Sequence, residues 1–305
     1  MTGYKLATYR APEGPRAGMV LEDALYDVAA ATGVATDASV LALLEDWPAA
    51  SVRLSAAAAK PKGKALPLGT AELLAPVLYP SAIYCAGANY TDHMLEMANL
   101  HKIAPAPDPH QVGLKPWHFI KSSRTVVGPG VAVKLPAHSK AVDWEVELVA
   151  VIGRKATRVP FANALDYVAG YTIANDLSAR DVMKRDPLPD SSPFKYDWVA
   201  QKCFDGACPL GPWIVPAIAI ADPQKLDLKL WVNGTIKQDS NTSKMIFTLA
   251  EQLSQLSTYV TLYPGDLILT GTPSGVGAAR HEFLKAGDSA KLWIEGIGTL
   301  ENRMA

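Results

Sequence analysis

Seven residues, Asp143-Trp144-Glu145-Val146-Glu147-Leu148-Val149, constrain this chain more than any other stretch. An extended strand puts successive side chains on opposite faces. Asp143, Glu145 and Glu147 then share one face, and Trp144, Val146 and Leu148 take the other. The run continues as the apolar string LVAVIG, which implies interior surroundings. Carboxylates in an interior are costly unless they are paired, neutralised or bound to metal. All-oxygen ligation suits hard cations, Mg²⁺ or Mn²⁺ with Ca²⁺ as an alternative, rather than Zn²⁺. The competing reading is an exposed edge strand with an acidic face, a common arrangement. This segment alone leaves both open.

A third ligand would favour metal. Asp176, in GYTIANDLSARD, lies where an expected strand turns into a helix. Aspartate there is also an ordinary helix cap, and on local sequence the cap reading prevails. His93 and Glu96, in NYTDHMLEM, stand three apart on an expected helix and share a face. A carboxylate beside an imidazole fixes its tautomer and raises its basicity, which makes a general base for water. One H-x-x-E is a weak signal, however, and a histidine holding a backbone carbonyl accounts for it at least as well. His101, His110, His118, His138 and His281 lack a partner in sequence and are assigned ordinary surface roles.

Charge excludes several functions. The 305 residues carry 29 Lys+Arg against 30 Asp+Glu, a formal net of -1. With no basic run there is no electrostatic footprint for nucleic acid or an anionic membrane. No stretch approaches the ~18 apolar residues that span a bilayer. MTGYKLATYR lacks the apolar segment of a signal peptide. Cys85, Cys203 and Cys208 are too few for a disulfide framework and read as free thiols of a reducing compartment. A cytoplasmic protein is the expectation.

The first 75 or so residues differ in texture from the rest. LATYR and GMVLEDALYDVAA read as short strands, and SVLALLEDW and ASVRLSAAAAK as helices, before PKGKALPLG interrupts the chain. This predicts a small α+β N-terminal domain over residues 1–75, with its boundary within 61–78, and a strand-rich domain over 76–305. In the larger part, NYTDHMLEMANL reads as a helix with Asn89 as its cap and Met94, Met97 and Ala98 on one side. Residues 99–118 hold four prolines and no periodicity, the mark of a lid or binding loop. Asn233-Gly234 supplies a hairpin turn, MIFTLAEQLSQLSTYV an amphipathic helix, and GDSAKLWIEGIGTLENRM closing paired strands. GTPSGVG lacks the ending of a P-loop, the serine placement of a nucleophile elbow and the pattern of a dinucleotide fingerprint.

EVELVAVIG, GYTIANDLSARD, QKCFDGACPLGPWIV, the Asn-Gly hairpin, YPGDLILTGTPSGVG and IEGIGTLEN follow one another in order. The series resembles the fumarylacetoacetate hydrolase family over residues 80–305. The resemblance implies an α+β, β-rich fold, a rolled β-sandwich with a metal at its mouth, usually in a homodimer. It places the metal ligands at Glu145, Glu147 and Asp176, and the catalytic His–Glu pair at His93 and Glu96. It also places the active-site lysine at Lys202 and substrate contacts at Arg180 and Thr272. One position departs: many members carry glutamine three residues after that arginine, where this chain has Met183.

For a 2,4-dioxo acid of the acylpyruvate or diketo deoxy-sugar acid type, these residues describe a metal-dependent C–C bond hydrolase that releases pyruvate or a similar small acid. His93 and Glu96 would activate water, the metal would steady the enolate leaving group, and Lys202 and Arg180 would hold developing oxyanions. The same site would serve an oxaloacetate-type decarboxylase or a 2-oxo-dienoate isomerase or hydratase. A catalytically silent small-acid binder is the alternative from outside enzymology. The 99–118 loop is the expected lid, with Lys115, Trp117 and Lys121 directed to a larger or acidic substrate tail.

Overall fold

Alternating apolar and polar residues form a meander of three antiparallel strands, Tyr4–Ala11, Gly14–Leu21 and Ala24–Asp27, joined by tight turns. The computed structural model, which describes residues 3–305, continues this meander into a much larger sheet. Next to Tyr4–Ala11 comes Cys208–Pro216, then Val168–Asn175, Val146–Ile152, Leu267–Leu269, Ile83–Ala86 and His118–Lys121. The segment before residue 75 therefore shares its sheet with the rest, through the register Leu6↔Ile214. Its helices, Val40–Glu45 and Trp47–Ala59, pack Leu44, Trp47 and Leu54 against that sheet.

A second sheet of five strands contains Thr235–Asn241, Asp227–Val232, Ser289–Ile294, Gly298–Met304 and Ala132–Val133. Asn233 and Gly234 turn the hairpin with φ of 50° and 77°, the left-handed geometry that an Asn-Gly pair tolerates. The two sheets face each other as a rolled sandwich. Val146, Leu148, Ala150 and Ile152 meet Leu228, Leu230, Leu292 and Leu300 in one core. On the opposite face Val149 and Val151 join Leu6, Met19 and Leu54 in another. The carboxylate strand is thus central and buried on both faces, which removes the exposed-edge reading. Its alternation sorts even positions to one core and odd positions to the other, and Glu145 and Glu147 continue the odd face beyond the apolar packing.

Three local expectations need correction. Asn89 does not cap the helix Thr91–His101, whose N-cap is Tyr90. Its amide donates to the Phe247 and Thr270 carbonyls at 3.0 and 2.8 Å and accepts the Phe247 N–H at 2.8 Å. A buried amide that satisfies three groups of two other segments is worth more there than at a helix end. Among the apolar residues of that helix only Ala98 is buried. Nor are two of the histidines surface residues of no consequence. His110 strands the 102–117 loop against the helix Leu249–Tyr259, with Nε2 2.8 Å from Glu251 Oε1 and its ring 4.8 Å from that of Phe247. His118 sits in a strand, where burial pushes its pKa down to about 4 against a smaller opposing contribution from Gln252. Among the described residues no helix is long and apolar enough to cross a membrane.

Candidate active site

The large sheet ends in a cluster of acids. Glu145 precedes the carboxylate strand, Glu147 lies within it, and Asp176 follows the neighbouring strand Val168–Asn175. The pairing Val146↔Asn175 brings the three to one place. Each can offer a carboxylate oxygen within 4.8 Å of the others, and all three are buried. Asp176 caps no helix. Its two oxygens take the ammonium groups of Lys121 and Lys202, each at 2.6 Å. Lys202 also reaches Glu145 at 3.1 Å, and Arg180 binds both Asp143 and Glu145. Lys121 stands at the end of the strand His118–Lys121, outside the loop, and points at the acids instead of at a substrate tail.

Here four buried carboxylates, Asp143, Glu145, Glu147 and Asp176, face three cations, Lys121, Arg180 and Lys202. The shortfall falls on Glu147. Its only hydrogen bond in this set is from the Gly271 N–H at 2.7 Å. Burial, followed by the charges of Asp176 and Glu145, pushes its pKa well above the carboxylate range. Burial also acts to raise Asp176, but Lys121 and Lys202 overcome it and hold that group down to about 2. A donor set of converging oxygens, one of them short of positive charge, fits a hard divalent ion.

GTPSGVG acts in this structure as a row of backbone donors. Gly271 N–H serves Glu147, Gly275 N–H serves Glu96 at 2.9 Å, and Gly277 N–H serves Asp143 at 2.6 Å. Gly275 has φ of 101°, and a Cβ there would lie 2.0 Å from the Lys237 carbonyl oxygen, so only glycine lets the loop approach so closely.

A cavity of about 550 Å³ opens over the acids. Glu145, Glu147, Arg180, Lys202, Thr272, His93 and Met183 line it. His93 Nδ1 lies 3.6 Å from Glu96 Oε2, on the shared face that their spacing predicts. That is longer than a hydrogen bond. Thr272 is already occupied: its hydroxyl donates to Val146 O at 3.0 Å and accepts from Gln238 Nε2 at 2.9 Å.

Two glutamines and one asparagine escaped the sequence reading. Asn175 Oδ1 accepts the Glu145 N–H at 2.9 Å, and Gln238 Oε1 accepts that of Val146 at 2.9 Å. The signal for Gln238 was available, since Gln238 and Ser240 alternate on the buried face of their strand. Gln201, beside Lys202, lines the cavity with a buried Oε1 that has no partner among the described residues.

A family profile described as the C-terminal region of fumarylacetoacetate hydrolase matches residues 82–305. The chain belongs to this family. It is 41% identical over 241 residues to the mitochondrial oxaloacetate tautomerase Fahd2a of Rattus norvegicus, a match covering 78% of this chain and 71% of that one. A maleylpyruvate hydrolase from Sphingobium sp. SYK-6, solved with manganese(II) and pyruvate, superposes with a TM-score of 0.77 at 29% identity, over 99% of this chain and 98% of that one. A 2-hydroxyhepta-2,4-diene-1,7-dioate isomerase from Mycobacterium marinum gives 0.72 at 32% identity over the same shares. Fumarylacetoacetate hydrolase family members of similar fold thus carry hydrolase, isomerase and tautomerase names.

Proposed function

We propose that this protein is a divalent-metal-dependent hydrolase that cleaves the C–C bond of a 2,4-dioxo acid and releases pyruvate. The observation that carries the reading is the buried carboxylate trio, short of positive charge, at the floor of a cavity that His93 also lines. Manganese and pyruvate in the Sphingobium relative support it. Glu145, Glu147 and Asp176 would hold the ion, Mg²⁺ or Mn²⁺. When bound, that ion supplies Lewis acidity to the 2-oxo acid head of the substrate.

The chain's own residues do the rest. The three cations leave the cluster no positive surplus of its own, and a bound dication would supply one, which attracts an anionic substrate. His93, oriented by Glu96, takes a proton from water as its oxygen bonds to C4. The C3–C4 bond breaks, its electron pair passes to C3, and the proton held by His93 returns to C3 to give pyruvate while the C4 side leaves as a carboxylic acid. Lys202 and Arg180 stand ready as donors for the oxyanions that form. Gln201 offers an amide to the same cavity, where Met183 has none.

Oxaloacetate tautomerisation is a second reading, favoured by the rat relative's name. It needs proton transfer at C3 and no cleavage. The volume of about 550 Å³ and its apolar lining favour a longer substrate than this four-carbon acid. Incubation of the Mn²⁺-loaded protein with acetylpyruvate and with oxaloacetate separates the two. Hydrolysis predicts stoichiometric pyruvate and acetate, with a loss of 10²-fold or more in His93→Ala. Enol formation from oxaloacetate without any pyruvate from acetylpyruvate would overturn the proposal.

A further inference from the structure

We propose that the substrate carries a planar, uncharged aromatic tail, and that Trp198, Phe119 and Trp117 form the wall on which it stacks. The inference deepens the reading of the cavity as a 2-oxo acid site and rests on it.

Two separate elements run from the acid cluster to the cavity mouth with the same stride. Lys202 and Trp198 stand four residues apart on the helix Trp198–Lys202, so they share a face about 6 Å apart along the axis. Lys121 and Phe119 stand two apart on the strand His118–Lys121, again on one face and about 7 Å apart. At one end the two ammonium groups meet on Asp176, each at 2.6 Å. Beside them the Phe119 and Trp198 rings stack with centroids 5.3 Å apart and planes 20° off parallel, and Lys202 Nζ lies 4.9 Å from the Phe119 centroid. A ligand whose acid head lies at the carboxylates therefore extends its tail along this aromatic wall.

Trp117 completes the wall edge-on, 5.7 Å from Trp198 at 68°. Its position is built in: the ring lies over Gly87, where a Cβ would come within 2.0 Å of it, and the Gly87 N–H bonds the Trp117 carbonyl at 3.1 Å. Yet Trp117 remains 47% exposed and Trp198 38%. All three residues line the cavity, and exposed aromatic surface of this kind gains most from a flat apolar partner.

Charge at the mouth argues against a second carboxylate on the tail. Lys184, Asp181, Asp186 and His101 also line the cavity. Asp186 takes Lys195 at 2.7 Å, while Asp181 is held by Ser139 and the Lys140 N–H. Lys184 and Lys195 stand against two acids, and Met183 adds a thioether. The mouth thus has no positive surplus for an anionic tail.

Calorimetric titration of the Mn²⁺-loaded protein with three 2-oxo acids that lack a cleavable C4 carbonyl tests this apart from any turnover. The probes are 2-oxo-4-phenylbutanoate, 2-oxobutanoate and 2-oxoadipate. The phenyl compound is expected to bind about tenfold more tightly than 2-oxobutanoate, and more tightly than 2-oxoadipate. That preference should fall to about twofold in Trp198→Ala and largely persist in Trp198→Phe. Equal binding of the phenyl and methyl compounds, tighter binding of 2-oxoadipate, or an undiminished preference in Trp198→Ala would each overturn the proposal. Absence of pyruvate from acylpyruvates, by contrast, removes the hydrolase reading and leaves these affinities to stand or fall alone.

Discussion

Asp176 shows how a single side chain carries different meanings in sequence and in space. Beside Asn175 and Leu177 it resembles a cap; in the fold it is the point where two ammonium groups meet. Nothing local distinguishes the two, because Lys121 and Lys202 lie 55 and 26 residues away. Only the resemblance to a family placed it with Glu145 and Glu147. His118 offers a test at this scale. Its pKa of about 4 in the folded chain lies below the ordinary 6.5, so between these values the unfolded chain takes up a proton that the folded chain refuses. Stability therefore declines as pH falls from 6.5 towards 4. Denaturant unfolding at pH 7 and pH 5 should show a smaller decline in His118→Gln than in the natural protein; equal declines would mean that His118 titrates freely.

At the level of elements, hydrophobic periodicity made most strands and helices legible. The Asn-Gly hairpin, the amphipathic helix Leu249–Tyr259 and the closing pair Ser289–Ile294 and Gly298–Met304 stand where the alternation and turn residues put them. What stayed illegible were the polar ties between elements. Asn89 reads locally as a cap and binds Phe247, 158 residues on. GTPSGVG matches no phosphate or nucleophile motif because its N–H groups hold the chain's own acids. Gln238 joins the five-stranded sheet to the carboxylate strand, with three hydrogen bonds at 2.9 Å to Val146, Thr272 and Pro273. Gln238→Ala leaves a buried N–H unpaired, at a cost of about 2 kcal/mol, and thermal unfolding should shift down by several degrees. A melting temperature within about 1 °C of the natural protein's would show that water replaces those bonds.

Across the whole molecule, two apolar cores hold one strand between them and leave its acids at the end of the sheet. The N-terminal meander contributes to one of these cores, so it supports the carboxylate strand from behind although it lies far from it in sequence. This arrangement puts four buried acids against three cations, and a dication would offset the excess of acid. Mn²⁺ titration followed by electron paramagnetic resonance tests that claim most directly. The expected result is one site per chain, with affinity lowered by at least tenfold in Glu147→Gln and in Asp176→Asn. Absence of stoichiometric Mn²⁺ binding, or an affinity in either variant equal to that of the natural protein, would contradict it.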